Sequence, residues 1–270
     1  MPELPEVETT RLGLLSLQGQ LIEAVVIRQP ALRWPIPTQL AQILPGQRLH
    51  ALTRRAKYIL AHFDSGTLLL HLGMSGRLCL LSRDEAAGKH DHFDIRFTNG
   101  RVLRLRDPRR FGAVLWTEED SARHVLLNSL GPEPLEDAFS GDWLYRNLRT
   151  RSAPIKNALM DSHLVVGVGN IYASESLFRA RIDPRKPAHK LSQADCDRLV
   201  HEIKSTLHDA LQAGGSSLRD FFGADGNPGY FQQNYFVYGR SGQACRICAG
   251  TIANIKLGQR STFYCAACQR

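Results

Sequence analysis

LVVGVGNIYASESLF, residues 164–178, is the stretch on which the reading of the fold turns. Gly167 and Gly169 interrupt an apolar run, and Asn170 then precedes a helical pattern. Glycines let a backbone approach a polyanion closely, and a helix N-terminus offers N–H donors to phosphate. The same residues also read as a packing joint between two helices, with Asn170 as N-cap. Both readings can hold together.

Upstream the pattern is different. Residues 2–18 read as a helix with Val7, Leu14 and Leu15 on one face. From 19 to 117 short alternating segments follow: LIEAVVIR, AKYILAHF, TLLLHLG, GRLCLL, HFDIRF, RVLRLRD and AVLW. DSG (64–66) and TNG (98–100) are hairpin signals between them. Many short alternating strands predict a β-sandwich. GPEP (131–134) marks the change to a helical period that runs to about residue 222. SQADCDRLVHEIKSTLHDALQAGG (192–215) predicts one long helix, capped by Ser192 and closed by Gly214 and Gly215. GADGNPGYFQQNY (223–235) is loop-rich. The expectation is an α+β chain: an N-terminal helix and β domain over 1–117, a linker at 118–131, a helical domain over 132–235, and a cysteine module over 236–270. A cleft between two such domains is a natural binding site.

The cysteines decide the last module. CRIC (Cys245, Cys248) and CAAC (Cys265, Cys268) stand sixteen residues apart. Two such pairs at this spacing predict one structural Zn2+ held by four thiolates on a hairpin, with no position left open for catalysis. A redox role for either pair is the minor alternative. From Phe236 to Arg270 the module carries Arg240, Arg246, Lys256, Arg260 and Arg270 and no acidic residue, which suits a phosphate backbone. The whole chain has 270 residues and a net charge of +8, so a polyanionic partner is admitted and nucleic acid comes first. No apolar run reaches the ~18 residues that a membrane span needs. The start lacks the charged and apolar regions of a secretory signal, so a reducing compartment is expected and Cys79 and Cys196 read as buried thiols.

The start itself is MPELPEVE. Once Met1 is removed, Pro2 carries a free secondary amine. An α-amino group titrates near ~7.7–8.0, against ~10.4 for lysine, so much of it is unprotonated at neutral pH. Such an amine attacks carbonyl carbons, and a secondary amine gives an iminium that is always cationic. Glu3 lies beside it to move protons. The plainer reading makes Pro5 the N1 residue of a helix, with Glu6 and Glu8 in its first turn.

Other clusters are equally two-sided. RRAKYIL places Lys57 at a strand start, and DPRRFGA gathers Arg109, Arg110 and Phe111 in a turn. A cation beside an exposed ring fits a wedge inserted between bases. HLGMSG sets Met74 between glycines, and KHDHFD offers His90 and His92 to metal or phosphate. Taken singly, each reads more readily as structural. Arg260 by its spacing alone reads as a solvated surface residue.

Together, and in order along the chain, PELPEVE, RRAKYIL, HLGMSG, DPRRFG, VVGVGNIYASE and CxxC…CxxC resemble the bacterial formamidopyrimidine-DNA glycosylases. The resemblance spans essentially the whole sequence. It implies a two-layered β-sandwich, a helix–two-turns–helix domain and a zinc-finger β-hairpin. It implies a bifunctional glycosylase and abasic-site lyase of base excision repair, acting on 8-oxoguanine and ring-opened formamidopyrimidines in double-stranded DNA. By resemblance Pro2 is the nucleophile, Glu3 the acid/base, Lys57 assists β-elimination and Arg260 δ-elimination. His90, Arg109, Arg151, Asn170 and, more weakly, Lys156 are expected on the DNA backbone. Met74, Arg109 and Phe111 are expected to fill the gap left by the extruded base, with Glu6, Ser217 and Tyr238 near the lesion and the loop around 217–230 over it. A monomer in the cytoplasm, beside the nucleoid, is the default expectation. Two rivals stand: an endonuclease VIII-like enzyme for oxidised pyrimidines, and a zinc protein that binds damage without cutting. The Met, Arg and Phe of HLGMSG and DPRRFG favour the purine enzyme. Pro2-Glu3 and Lys57 would have no use in a mere binder.

Overall fold

The computed structural model describes residues 1–83, 85–216 and 230–270, in two compact units. The first comprises Met1–Asn128 and Ala213–Tyr230; the second comprises Ser129–Gln212 and Phe231–Arg270.

The first unit begins with α1 (Leu4–Gly13). Glu3 is its N-cap, and a capping box forms with Glu6, whose Oε2 accepts from the Glu3 N–H at 2.8 Å. Pro5 therefore falls one position later than N1, still within the first turn, where its missing N–H costs nothing. The helix stops at Gly13 and a 3₁₀ turn follows, short of the 2–18 span expected from sequence. Eight strands follow: β1 (Ile22–Ile27), β2 (Ala51–Arg55), β3 (Tyr58–His62), β4 (Thr67–His71), β5 (Arg77–Ser82), β6 (Asp91–Phe97), β7 (Arg101–Arg106) and β8 (Ala113–Thr117). A four-residue helix, α2 (Leu40–Ile43), lies between β1 and β2. The strands form two antiparallel sheets, ordered β1-β6-β7-β5 and β2-β3-β4-β8. One core joins both, with Phe93, Ile95 and Phe97 of β6 among Leu52, Ile59, Leu68, Leu70 and Val114 of the other sheet. That is the predicted sandwich. DSG joins β3 to β4, and TNG joins β6 to β7 with Gly100 at φ +81°. β2 escaped the sequence pattern because ALTRR ends in two arginines and shows no alternation.

On the other side of the β6–β7 pair, Asp94 stands opposite Arg104 in register. Both Asp94 oxygens are bound by Arg104 and one also by Arg28. Burial works against that carboxylate, yet these cations hold it below its ordinary range. Cys79, read as a buried thiol, is only half-buried on β5; Cys196 is buried as expected.

The second unit holds α3 (Gly141–Leu148), α4 (Ile155–Leu159), α5 (Asn170–Arg179), α6 (Gln193–Gln212) and the hairpin β9 (Ala253–Leu257) and β10 (Arg260–Tyr264). α6 buries Cys196, Leu199, Val200, Ile203, Leu207 and Ala210, the stripe of a helix lying on a core. Ser192 Oγ accepts from the Asp195 N–H at 3.1 Å, and Gly214 and Gly215, both at positive φ, follow its end. Asn170 is the first residue of α5 and Gly169 the cap, so the expected Asn170 cap falls one residue early. No described helix is long and apolar enough to cross a membrane.

Candidate active site and nucleic-acid interface

In the first unit the N-terminus is drawn inward. Pro2 and Glu3 are buried, while Met1 is 40% exposed. Glu6 does the holding: one oxygen accepts from the Glu3 N–H, and the other accepts from the Ser216 N–H at 2.8 Å. Gly215 lies directly against Glu6, and a side chain there would crowd the carboxylate. So Glu6, expected near the lesion, has both oxygens engaged by backbone donors. Ser217 lies outside the described residues.

Lys57 occupies the two-residue turn between β2 and β3, after Ala56 at φ +54°. Glu8 of α1 reaches this turn through Arg54, which donates to Glu8 and to the Ala56 carbonyl. Across the β3–β4 register Tyr58 pairs with His71, their rings 4.8 Å apart. His71 Nδ1 accepts from the Gly73 N–H at 3.0 Å, which leaves the ring proton on Nε2. Burial, then Lys57 and Arg33, push the His71 pKa down to about 4, with Asp107 opposing. Neither His71 nor Arg33 stood out in the sequence. Their proximity to Lys57 comes from pairing across strands and from a distant loop.

The two turns that bear Met74 and Phe111 are pressed together. Gly73 sits at φ +60°, and a Cβ there would run into the Phe111 carbonyl. Met74 is 39% and Phe111 45% exposed, and the Arg109 guanidinium lies 4.8 Å from the Phe111 ring centre. His90 is half-buried at the start of β6. His92 is no metal ligand: its Nε2 is buried on the Asp107 carbonyl at 2.9 Å.

In the second unit Lys156, expected on DNA, is fully buried. Its Nζ donates to Asn170 Oδ1 (2.6 Å), the Ser261 carbonyl (2.9 Å) and Thr262 Oγ1 (2.7 Å). Asn170 Nδ2 also donates to the Ser261 carbonyl. The start of α5 and the strand that carries Arg260 are therefore fastened to one ammonium. Arg260 is exposed just after a tight turn in which Gly258 and Gln259 both have positive φ. Arg151 pairs with Asp161 at 2.5 Å and stays about a third exposed. The Tyr238 N–H donates to Glu175, whose oxygens also accept from the N–H groups of Phe236 and Val237. Burial pushes that carboxyl up, against the pull of the three N–H donors.

The four Sγ atoms of Cys245, Cys248, Cys265 and Cys268 lie within 4.8 Å of one another. Thiolates ~2.3 Å from a tetrahedral zinc stand ~3.8 Å apart, which these positions fit. This is the site of one structural zinc. Among the described residues it is the only cluster of three or more metal-ligating side chains.

Residues 1–114 match the formamidopyrimidine-DNA glycosylase N-terminal domain, 130–222 its H2TH domain, and 242–270 the zinc finger found in FPG and IleRS. The formamidopyrimidine-DNA glycosylase of Methylobacillus flagellatus is 67% identical, over 100% of this chain and 97% of that protein. The one from a Janthinobacterium species is 55% identical over the full length of both. Among solved structures, the Thermus thermophilus MutM (FPG) protein superposes with a TM-score of 0.90 at 38% identity, covering 99% of this chain and 98% of that one. A Lactococcus lactis FPG variant bound to DNA containing Fapy-dG reaches 0.92 at 34% identity, over all of both chains.

Proposed function

The chain belongs to the formamidopyrimidine-DNA glycosylase family, and from that premise we propose that it excises oxidised purines from duplex DNA and cuts the strand at the abasic site with the amine of Pro2. It is a DNA glycosylase of base excision repair, and abasic-site lyase activity is typical of its family. The observation that carries the residue assignment is the buried N-terminus: Pro2 and Glu3 are buried at the cap of α1, where the Glu6 carboxylate accepts from the Glu3 N–H.

The proposed chemistry starts from the free Pro2 nitrogen, which attacks C1′ of the damaged nucleotide. The base departs with the electrons of the glycosidic bond and takes up the proton that the Pro2 nitrogen sheds. Glu3 gives a proton to the sugar ring oxygen, the ring opens, and an iminium joins Pro2 to C1′. The iminium acidifies the C2′ proton, whose removal expels the 3′ phosphate; a second elimination expels the 5′ phosphate, and water then frees the amine. Lys57 serves the first elimination and Arg260 the second. Arg151, Asn170 and His90 hold phosphates. Met74, Arg109 and Phe111 replace the extruded base, whose unstacking costs a few kcal/mol. The zinc keeps the hairpin of Arg260 folded and takes no part in the reaction. Oxidised purines are the substrate class proposed because the relatives are named formamidopyrimidine-DNA glycosylases and formamidopyrimidines are ring-opened purines. The proposal includes a monomer, which light scattering tests.

With Met1 attached, Pro2 is a tertiary amide and has no nucleophilic lone pair, so active protein must begin Pro-Glu-Leu. The test is borohydride trapping on a duplex with one 8-oxoguanine opposite cytosine, with the cross-link mapped by mass spectrometry. An adduct on Pro2 with cut strand in the unreduced control is expected. An adduct on Lys57 moves the catalytic amine, and neither adduct nor cutting leaves only a DNA-binding protein.

A further inference from the structure

Resting on the function proposed above, we infer that Asp107, with Ser75, is a positioning residue that makes one rigid platform of the turns carrying Met74, Arg109 and Phe111. The Asp107 carboxylate is completely buried. Its Oδ1 accepts from Ser75 Oγ at 2.7 Å and from the Arg109 N–H at 3.3 Å. Its Oδ2 accepts from the Gly112 N–H at 2.8 Å. The Arg109 N–H also reaches Ser75 Oγ at 3.2 Å. The main chain of Asp107 adds two more ties: its N–H donates to the His90 carbonyl, and its carbonyl accepts from His92 Nε2.

One residue thus binds three separate stretches, 71–76, 90–92 and 107–112, and each carries a proposed DNA contact. Exposed Met74 and Phe111 gain nothing from water, and a loose turn would fold them back onto the protein. Held outward, they enter a base stack without first paying for order. Glycine at 73 and 112 is part of the device: a Cβ at 112 would meet the His71 carbonyl at 2.8 Å, and one at 73 the Phe111 carbonyl. The carboxylate locks two backbones that are already in contact.

The test uses the full zinc-bound chain with Met1 removed, as Ser75→Ala and Asp107→Asn. Ser75→Ala cuts the tie to the Met74 turn and leaves the Gly112 bond in place. Asp107→Asn keeps one oxygen for the Gly112 N–H and turns an NH2 towards Ser75 Oγ. It thus removes the charge and the acceptor for the Arg109 N–H, and the Ser75 hydroxyl must accept where it donated. Two substrates separate positioning from folding. One is a paired duplex with 8-oxoguanine and a neighbouring 2-aminopurine, whose fluorescence reports base displacement. The other is a single strand with a preformed abasic site, where no base has to be displaced. Losing one bond to a buried charge predicts that displacement and single-turnover excision fall about 10-fold in the duplex. Cutting of the single strand should stay within about twofold of wild type. Adding Phe111→Ala to Ser75→Ala should cost little more than Phe111→Ala alone, since the platform then has less to present. Equal loss on both substrates, or no loss on either in both variants, overturns the inference. Wild-type protein that cuts neither substrate overturns the proposed function itself.

Discussion

The two units each fasten working residues to buried charged groups, and their main hubs differ in sign, although Glu175 in the second unit also gathers N–H donors, that of Tyr238 among them. In the first, Asp107 and Glu6 collect N–H donors: those of Gly112 and Arg109, and those of Glu3 and Ser216. In the second, Lys156 collects oxygens from Asn170, Ser261 and Thr262. The sign decides what is left to face a ligand. A carboxylate hub consumes backbone donors, so the turns above it offer side chains: a methionine, an arginine and a phenylalanine, suited to a base stack. An ammonium hub consumes oxygens, and the hairpin strand it fastens carries the exposed Arg260 guanidinium, suited to phosphate.

The largest effect separates the units through zinc. Four thiolates on a small hairpin supply binding energy of ~10 kcal/mol, which is folding energy for the module. A strong chelator should therefore unfold β9 and β10 and abolish duplex binding, read by fluorescence anisotropy, and added zinc should restore it. The first unit contains no cluster of this kind among its described residues. Its sandwich should keep its β signature in circular dichroism, and loss of that signature on chelation would break the comparison.

Next comes the ammonium. Lys156→Met keeps most of the volume and removes the donor from three acceptors in a fully buried place. Unsatisfied buried groups cost ~1–3 kcal/mol each, so a loss of about 3–5 kcal/mol is expected in urea unfolding, together with weaker duplex binding. A lysine that merely touched phosphate would lower affinity and leave stability alone.

How far the sequence reached follows from the same contrast. The strands of the sandwich, the α6 caps and the zinc ligands are legible because their signals are local: alternation, Ser192, paired glycines, C-x2-C. Pro2 and Glu3 stood out because two adjacent residues carry a chemistry. The hubs stayed hidden because their partners are far off in the chain. Asp107 meets Ser75 from 32 residues away, and Lys156 meets Thr262 from 106. Lys156 was expected on the DNA backbone by resemblance alone; lysine is seldom fully buried, and the three oxygens around this one explain the exception. The Asp of DPRRFG was passed over for the arginines and the ring beside it, although it is the residue that sets them.

His71 gives the comparison a pH axis. Its folded pKa near 4 lies below the ordinary 6.5, with burial the main cause and Lys57 and Arg33 adding to it. Between those values the unfolded chain holds the proton and the folded chain does not, so stability rises with pH across the window. The shift is worth at most about 3 kcal/mol, less the part that solvent screens at the half-buried ring. Thermal melts should show the first unit weakening as pH falls from about 6.5 towards 4. His71→Gln keeps a side-chain acceptor for Gly73 and should flatten that slope. An unchanged slope would place the sensitivity elsewhere.

The smallest effect tests whether phosphate gripping is spread evenly over the second unit. Arg151 is tied to Asp161 and still about a third exposed, so its guanidinium is positioned but not consumed. Asp161 itself is held below the ordinary carboxylate range, against burial, by the His163 N–H and by Arg151. A single phosphate contact carries no base information, so Arg151→Ala should weaken lesion-bearing and undamaged duplexes alike, by about 1 kcal/mol. The slope of log affinity against log salt should drop by about 1. Stability should hardly move, because an exposed ion pair contributes ~0–1 kcal/mol. A loss confined to lesion-bearing DNA would instead tie Arg151 to base displacement, and the division of labour between a stacking unit and a gripping unit would fail there.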